Sequence, residues 1–310
     1  MLSRVFVVAF NTYREAVRAR VLHGLFALAL GTLGYAMVVG QFASRDGSRV
    51  VSDLGAASIS AYSVIVAVVL GATSLYRELE LKTLFPILAR PISRSEYLVG
   101  KFVGTWLTLM VFAAANAGVL LLALGLLAGR ATAVVAAGVA APPILLGLVA
   151  LWRPRWRTLL PIVWALCTFA LGFWLAAGAP DDRRVIVGSV ALSLCEVMIV
   201  VAIATVFASF SSPFLTAIFT FGVFIVGRSA DTLANLPPRV FGEAIQQMGV
   251  VLSRVVPNLM LHVPPRPLLT GEAHGTPLAQ YVLMAALQAV AWSVGLLAVA
   301  SAVFRRRDFL

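Results

Sequence analysis

An all-α, polytopic membrane fold is what this chain predicts, and three observations carry the prediction. Hydrophobic residues fill 61% of the 310 positions and charged residues only 12%, against about 25% charged in soluble domains. Apolar stretches near the length of about 20 residues that crosses a bilayer recur at 21–42, 57–76, 102–128, 131–151, 158–178, 186–208, 213–228 and 279–303. The charges are bunched in short clusters between these stretches, which is how membrane proteins set their orientation. The same bunching sets aside a nucleic-acid reading of the net charge of +11, because that role needs a basic face or stripe.

The elements follow in order within a single transmembrane domain, 1–310. Residues 1–20 read as an interfacial helix: Leu2, Phe6, Phe10 (or Ala9), Tyr13 and Val17 recur at three- and four-residue spacing, while Arg4, Arg14, Glu15 and Arg18 take other faces. This segment holds only Val5 to Phe10 as an apolar core before Arg14, too little for a cleavable signal. Eight spans are predicted, the seventh short. The pair at 131–178 is the least regular, since Pro142-Pro143 interrupts it; it reads as a full hairpin whose tip, Trp152 to Arg157, sets indoles at the interface, with a re-entrant pair as the alternative. Residues 229–278 form the largest segment between spans. In it Phe241, Ile245, Met248, Leu252 and Val255 line one helical face, and a run containing Pro257, Pro264, Pro265 and Pro267 should be irregular. No internal repeat supports an inverted-repeat transporter.

Counting Lys and Arg orients the spans. With a cytosolic N-terminus, 15 of the 24 fall in cytosolic segments, so the positive-inside rule puts both termini in the cytosol. The stretch Arg77 to Lys101 is then cytosolic. Eight of its 25 residues are charged, so it cannot lie in lipid. It reads as two short helices broken at Arg90-Pro91, the second started by a Ser93/Glu96 capping box. A short, charged, capped element at the membrane face suits a soluble partner.

Inside the spans, Glu196 is the residue that composition does not explain. A carboxylate near the centre of a span costs at least about 2.5 kcal/mol, so it should face the bundle interior. Asn116 and Gln288 are the candidate partners. Two readings stay open: a substrate path or proton relay, and helix–helix adhesion. Gly100-x-x-x-Gly104 and Gly125-x-x-x-Gly129 permit close helix approach. Catalytic classes find little support. His23, His262 and His274 form no His-Glu-x-x-His, and Gly227-Arg-Ser-Ala-Asp231 misses the last glycine of a nucleophile elbow. His262 and His274 with Glu272 would make a metal site only if they were more than solvated surface groups. Cys167 and Cys195 both sit in apolar runs and read as packing residues.

The order of these parts resembles the membrane subunit of ABC-2 type export transporters, in the branch with a single-domain permease. The resemblance rests on Glu78-Leu-Glu80 with Thr83, then Leu88-Ala-Arg-Pro-Ile-Ser-Arg-Ser-Glu-Tyr-Leu-Val-Gly-Lys101. Phe207-Ala-Ser-Phe-Ser-Ser-Pro-Phe214, Val256-Pro-Asn-Leu259 and the closing Phe304-Arg-Arg-Arg-Asp-Phe309 follow in family order. The 131–178 hairpin departs from it, since the family usually has six spans.

The resemblance implies a type V exporter-like fold and a coupling helix at 77–101, with Glu78, Glu80, Arg90, Pro91, Ser93, Arg94 and Glu96 meeting a cytosolic ABC ATPase. It also implies a permease homodimer in the cytoplasmic (inner) membrane, contact with membrane lipid and room for accessory external or periplasmic proteins. This chain would hold no cofactor, ATP and Mg being bound by the partner ATPase: the only Gly-Lys, Gly100-Lys101, is followed by Phe102 and lacks the first glycine of a P-loop. The rival expectations are a non-transporting mechanotransmission or assembly subunit of an ATPase-driven complex, and a proton-coupled secondary transporter using Glu196.

Overall fold

The computed structural model describes residues 2–43, 46–80, 93–153, 156–272 and 277–306, and the regular structure among them is helical throughout. The first half comprises α1 (Leu2–Val17), α2 (Arg20–Phe42), α3 (Gly47–Glu80), α4 (Arg94–Leu127), α5 (Thr132–Trp152) and α6 (Leu160–Leu175). The second half holds α7 (Pro180–Ala208), α8 (Pro213–Arg228), α9 (Ala230–Ala234), α10 (Pro238–Phe241), α11 (Glu243–Val255), α12 (Arg266–Thr270) and α13 (Leu278–Arg306). Seven of these, α2 to α7 and α13, are long and apolar enough to cross a membrane, α6 being carried to 19 residues by the 3-10 turn Ala176–Gly178 that continues it. The eighth apolar helix, α8, has 16 residues, or about 24 Å at 1.5 Å per residue, short of the roughly 30 Å hydrocarbon slab.

The helices outrun the apolar windows that announce them. α3 and α4 have 34 residues each, because backbone hydrogen bonding continues into polar sequence wherever a helix end projects past lipid. Arg49 and Asp53, which precede the apolar stretch 57–76, lie on the first turns of α3. The Arg90-Pro91 break, with Lys82 and Thr83, lies outside the described residues, as do Pro154-Arg155 of the hairpin tip, His274 and Arg307 to Phe309.

α7 is the axis of the bundle, packed against α3, α4, α8 and α13. Residues Val197 to Ala204 are all buried, as expected of a helix apolar on every side. One core cluster joins α3, α4 and α7 through Val64, Ala67, Leu109, Phe112, Ile199 and Val201. A second, nearer the start of α3, holds Val51, Ile59, Leu120, Leu124, Ile186 and Val190. The α5–α6 hairpin attaches through α6 to α4, and Phe26 of α2 sets its ring edge-on to both Phe112 and Trp164.

Three details differ from the sequence reading, each for a packing reason. α1 buries Ala9, Thr12, Tyr13 and Ala16 while Phe6 is exposed, so the face turned to the protein takes in Tyr13 of the expected stripe but leaves Phe6 outside. The partner surface is Gly100 and Gly104 of α4: a Cβ on Gly104 would lie 2.3 Å from the Ala9 carbonyl oxygen, so only glycine admits this approach. Gly129, by contrast, contacts nothing and takes φ 82° just past the end of α4, a left-handed turn that suits glycine. The Pro-rich run read as irregular contains a 3-10 turn at Met260–His262 and α12.

Between α8 and α13, α11 exposes Ile245, Met248, Leu252 and Val255 while burying Gly249. The apolar stripe thus points away from the protein, where a bilayer surface is the natural cover.

Candidate functional site

Two polar assemblies stand at opposite ends of the bundle. At one end the long helices α3 and α4 flank segment 81–92, and α4 starts with a complete capping box. The Ser93 hydroxyl oxygen accepts from the Glu96 amide at 3.2 Å, and the Ser93 amide donates to Glu96 Oε2 at 2.8 Å. Arg94 Nη1 reaches across to the far end of the chain and donates to the carbonyls of Phe304 and Arg305 at 3.2 and 3.1 Å. These carbonyls lie in the last described turn of α13, where a guanidinium complements the helix dipole. Beneath them Tyr97, Leu98, Ala208, Ala300 and Phe304 form one buried cluster. Lys101, also buried, lies 3.6 Å from Glu15 on α1.

Two of the residues expected to face a partner are engaged within the protomer. Arg94 is committed to the α13 terminus, and Glu96, only 7% exposed, is committed to its own cap; both position the platform from within the protomer. Pro91 and Arg90 lie outside the described residues. Glu78 and Glu80 fall in the last turn of α3.

At the other end a cavity of about 720 Å³ opens between α3, α7, α8 and the 262–269 segment. Glu196 sits beside it, fully buried. Its expected partners do not reach it: Asn116 Nδ2 donates to the Phe112 carbonyl one turn back, and Gln288 Nε2 donates to the Asn258 carbonyl. The partner is Arg228. Nε donates to Glu196 Oε1 at 2.5 Å and Nη2 to Oε2 at 2.8 Å, while the Ser60 hydroxyl accepts from Nη2 at 3.2 Å and donates to Oε2 at 3.5 Å. The bidentate fork explains the preference, since a full counter-charge outweighs a neutral amide for a carboxylate out of water. The guanidinium also lies 5.5 Å from the centre of the Phe224 ring.

The shortness of α8 makes this pair possible. A spanning helix would carry Arg228 out to the aqueous edge; α8 stops early, at the level of Glu196. The interrupted end is closed by Val256-Pro-Asn-Leu259: the Leu259 amide donates to the Gly227 carbonyl at 3.0 Å, and Asn258 Nδ2 to Asp231 Oδ1 at 2.7 Å. Nearer the mouth, Arg266 donates to Asp53, Asp182 and Ser52, and the Ser52 hydroxyl donates to Asp182 at 3.2 Å. This second group pins α12 to the starts of α3 and α7.

His262 completes the wall. It is 2% exposed, which overturns its reading as a solvated surface histidine and removes it from any site with Glu272. Neither ring nitrogen finds a partner of hydrogen-bonding geometry among the described residues. Burial, aided by the charge of Arg228, holds its pKa down at about 4, the Leu259 and Ala285 backbone offsetting only part of the effect. The sequence signals for this assembly were indirect: an arginine closing an apolar run too short to span, opposite a lone intramembrane carboxylate.

Residues 7–309 match the family described as ABC-2 family transporter protein. No curated protein matches the chain.

Proposed function

Since the chain belongs to the ABC-2 family of transporter proteins, we propose that it is the permease subunit of an ATP-driven exporter, working as a homodimer in the cytoplasmic membrane. A separate ABC ATPase docks on the 77–101 platform, and both termini are cytosolic. ATP and Mg bind that partner; this chain supplies no P-loop. The observation that carries the reading is the attachment of the platform. The platform includes the end of one 34-residue helix and the start of another, α3 and α4, and the first turns of α4 are tied to α1 by Gly104 and Lys101 and to α13 by Arg94. A displacement applied at the platform is therefore delivered to three helices together, and through α4 and α13 to the α7 axis.

Affinity capture of the detergent-solubilised chain tests this. Charge reversal at Lys82 and Arg90 leaves the Ser93/Glu96 cap and the Arg94 contact intact, so it probes docking without loosening α4. Recovery of an ATPase with the unaltered chain, and its loss with Lys82→Glu/Arg90→Glu at unchanged thermal stability, is the expected result. Absence of any ATPase after cross-linking overturns the reading.

A further inference from the structure

The cavity at the Glu196 end has features that close packing does not account for. At about 720 Å³ it falls in the range of pockets that enclose a small organic molecule. Most of its wall is apolar, with Ala57, Ala61, Ile65, Val185, Phe221 and Leu269 among the lining residues. Against that wall stand hydrogen-bonding groups with nothing to bond. Ser189 and Ser193 line the cavity, and no side-chain hydrogen bond of either is found among the described residues. Arg228 uses Nε and Nη2 on Glu196 and Ser60, which leaves Nη1 without a partner among the described residues. His262, buried and lining the same space, makes no ring hydrogen bond of full geometry and has only the weaker approach of the Leu259 and Ala285 backbone. A buried polar group short of partners is costly enough to be rare; His262 is one, and the Ser189, Ser193 and Arg228 groups border the same volume.

The charges narrow the class of ligand. Arg49, Arg228 and Arg266 are matched by Asp53, Asp182 and Glu196 through direct ion pairs. A charged ligand would have to break one of these pairs or enter without a counter-charge, and both are unfavourable where water is scarce. A neutral imidazole offers one donor and one acceptor, and the serine hydroxyls offer both, so a hydroxyl or carbonyl group is complementary to all of them.

We infer that this cavity is a binding site, within a single protomer, for an uncharged amphiphile: an apolar body against the alanine, isoleucine and phenylalanine wall, and a hydroxyl or carbonyl head among Ser193, Arg228 and His262. The site is independent of the ATPase reading, and it is tested without any ATPase.

The probe is hexadecanol carrying a diazirine, photolysed with the purified chain and mapped by peptide mass spectrometry; the matching diazirine hexadecanoate is run beside it. Labelling within 53–65 and 260–269 that excess unlabelled hexadecanol removes is the expected outcome, with the carboxylate probe at least about tenfold weaker there, one tenfold step in affinity. Ala57→Phe and Ser193→Phe, each narrowing the cavity from a different helix, should suppress it while leaving labels on the outward faces of α8 and α13. Labels confined to those outward faces, labels that do not compete, or equal labelling by the carboxylate overturn the proposal. Competition on the unaltered chain decides the matter if neither variant folds.

Discussion

The two ends of the bundle use the same residue types to opposite effect. At the platform end, Ser93, Arg94, Glu96 and Lys101 are engaged with helix termini and with α1, and Gly104 brings α1 against α4 until no methyl group fits between them. At the cavity end, Ser60, Glu196 and Arg228 are as well paired, yet they border open volume and leave donors over. One end is built to move as a piece, the other to admit something. At the platform the charged groups are spent on helix termini and on α1, although the buried Tyr13 and Tyr97 hydroxyls find no partner among the described residues; at the other end the spare donors face open volume.

The largest effect should come from breaking the pair. Glu196→Ala leaves Arg228 without its counter-charge, and removing one partner of a buried pair costs about 3–5 kcal/mol. Thermal unfolding in detergent should show that loss, while Glu196→Leu with Arg228→Leu recovers most of it. Equal losses from the single and double variants would mean that the pair itself, and not the stranded charge, carries the stability.

Acid comes next. His262 titrates at about 4 when folded against about 6.5 when unfolded, so below pH 6.5 the unfolded chain binds the extra proton and the fold is disfavoured. Its contribution is flat above pH 6.5 and falls progressively towards pH 4, by about 3 kcal/mol in all. His262→Gln should flatten that part of the stability profile; an unchanged slope would assign the acid sensitivity elsewhere.

The smallest test sets the two ends directly against each other. Gly104→Val thrusts atoms into the Ala9 backbone and should cost about 1–3 kcal/mol. Ala57→Val adds methyl groups at the cavity wall and should stay within about 0.5 kcal/mol. Similar losses at both positions would remove the distinction between a closed end and an open one.

Much of this was legible in the sequence, and the parts that were not share a cause. Apolar length found the spans, including the shortness of 213–228, and local spacing found the Ser93/Glu96 cap and the α11 stripe, because each depends on neighbours in the chain. The buried position of Glu196 followed from the cost of its charge. Its partner did not follow, because periodicity does not say which helices adjoin: Asn116 and Gln288 lie inside their spans, but Arg228, the last residue of the 213–228 stretch, is the one that α8 delivers. The Arg94 contact was hidden for the same reason, since the carbonyls it meets lie 210 and 211 residues away.

The separation of Glu196 from Arg228 along the chain, 32 residues, also has a bearing on biogenesis. At about 5–20 residues per second of synthesis, α7 is made seconds before its counter-ion exists. During that interval Ser60, on the already completed α3, is the one member of the final cluster able to receive the carboxylate. Nascent chains stopped between the two positions should therefore be held at the insertion machinery or degraded, and those extended past Arg228 released into the bilayer.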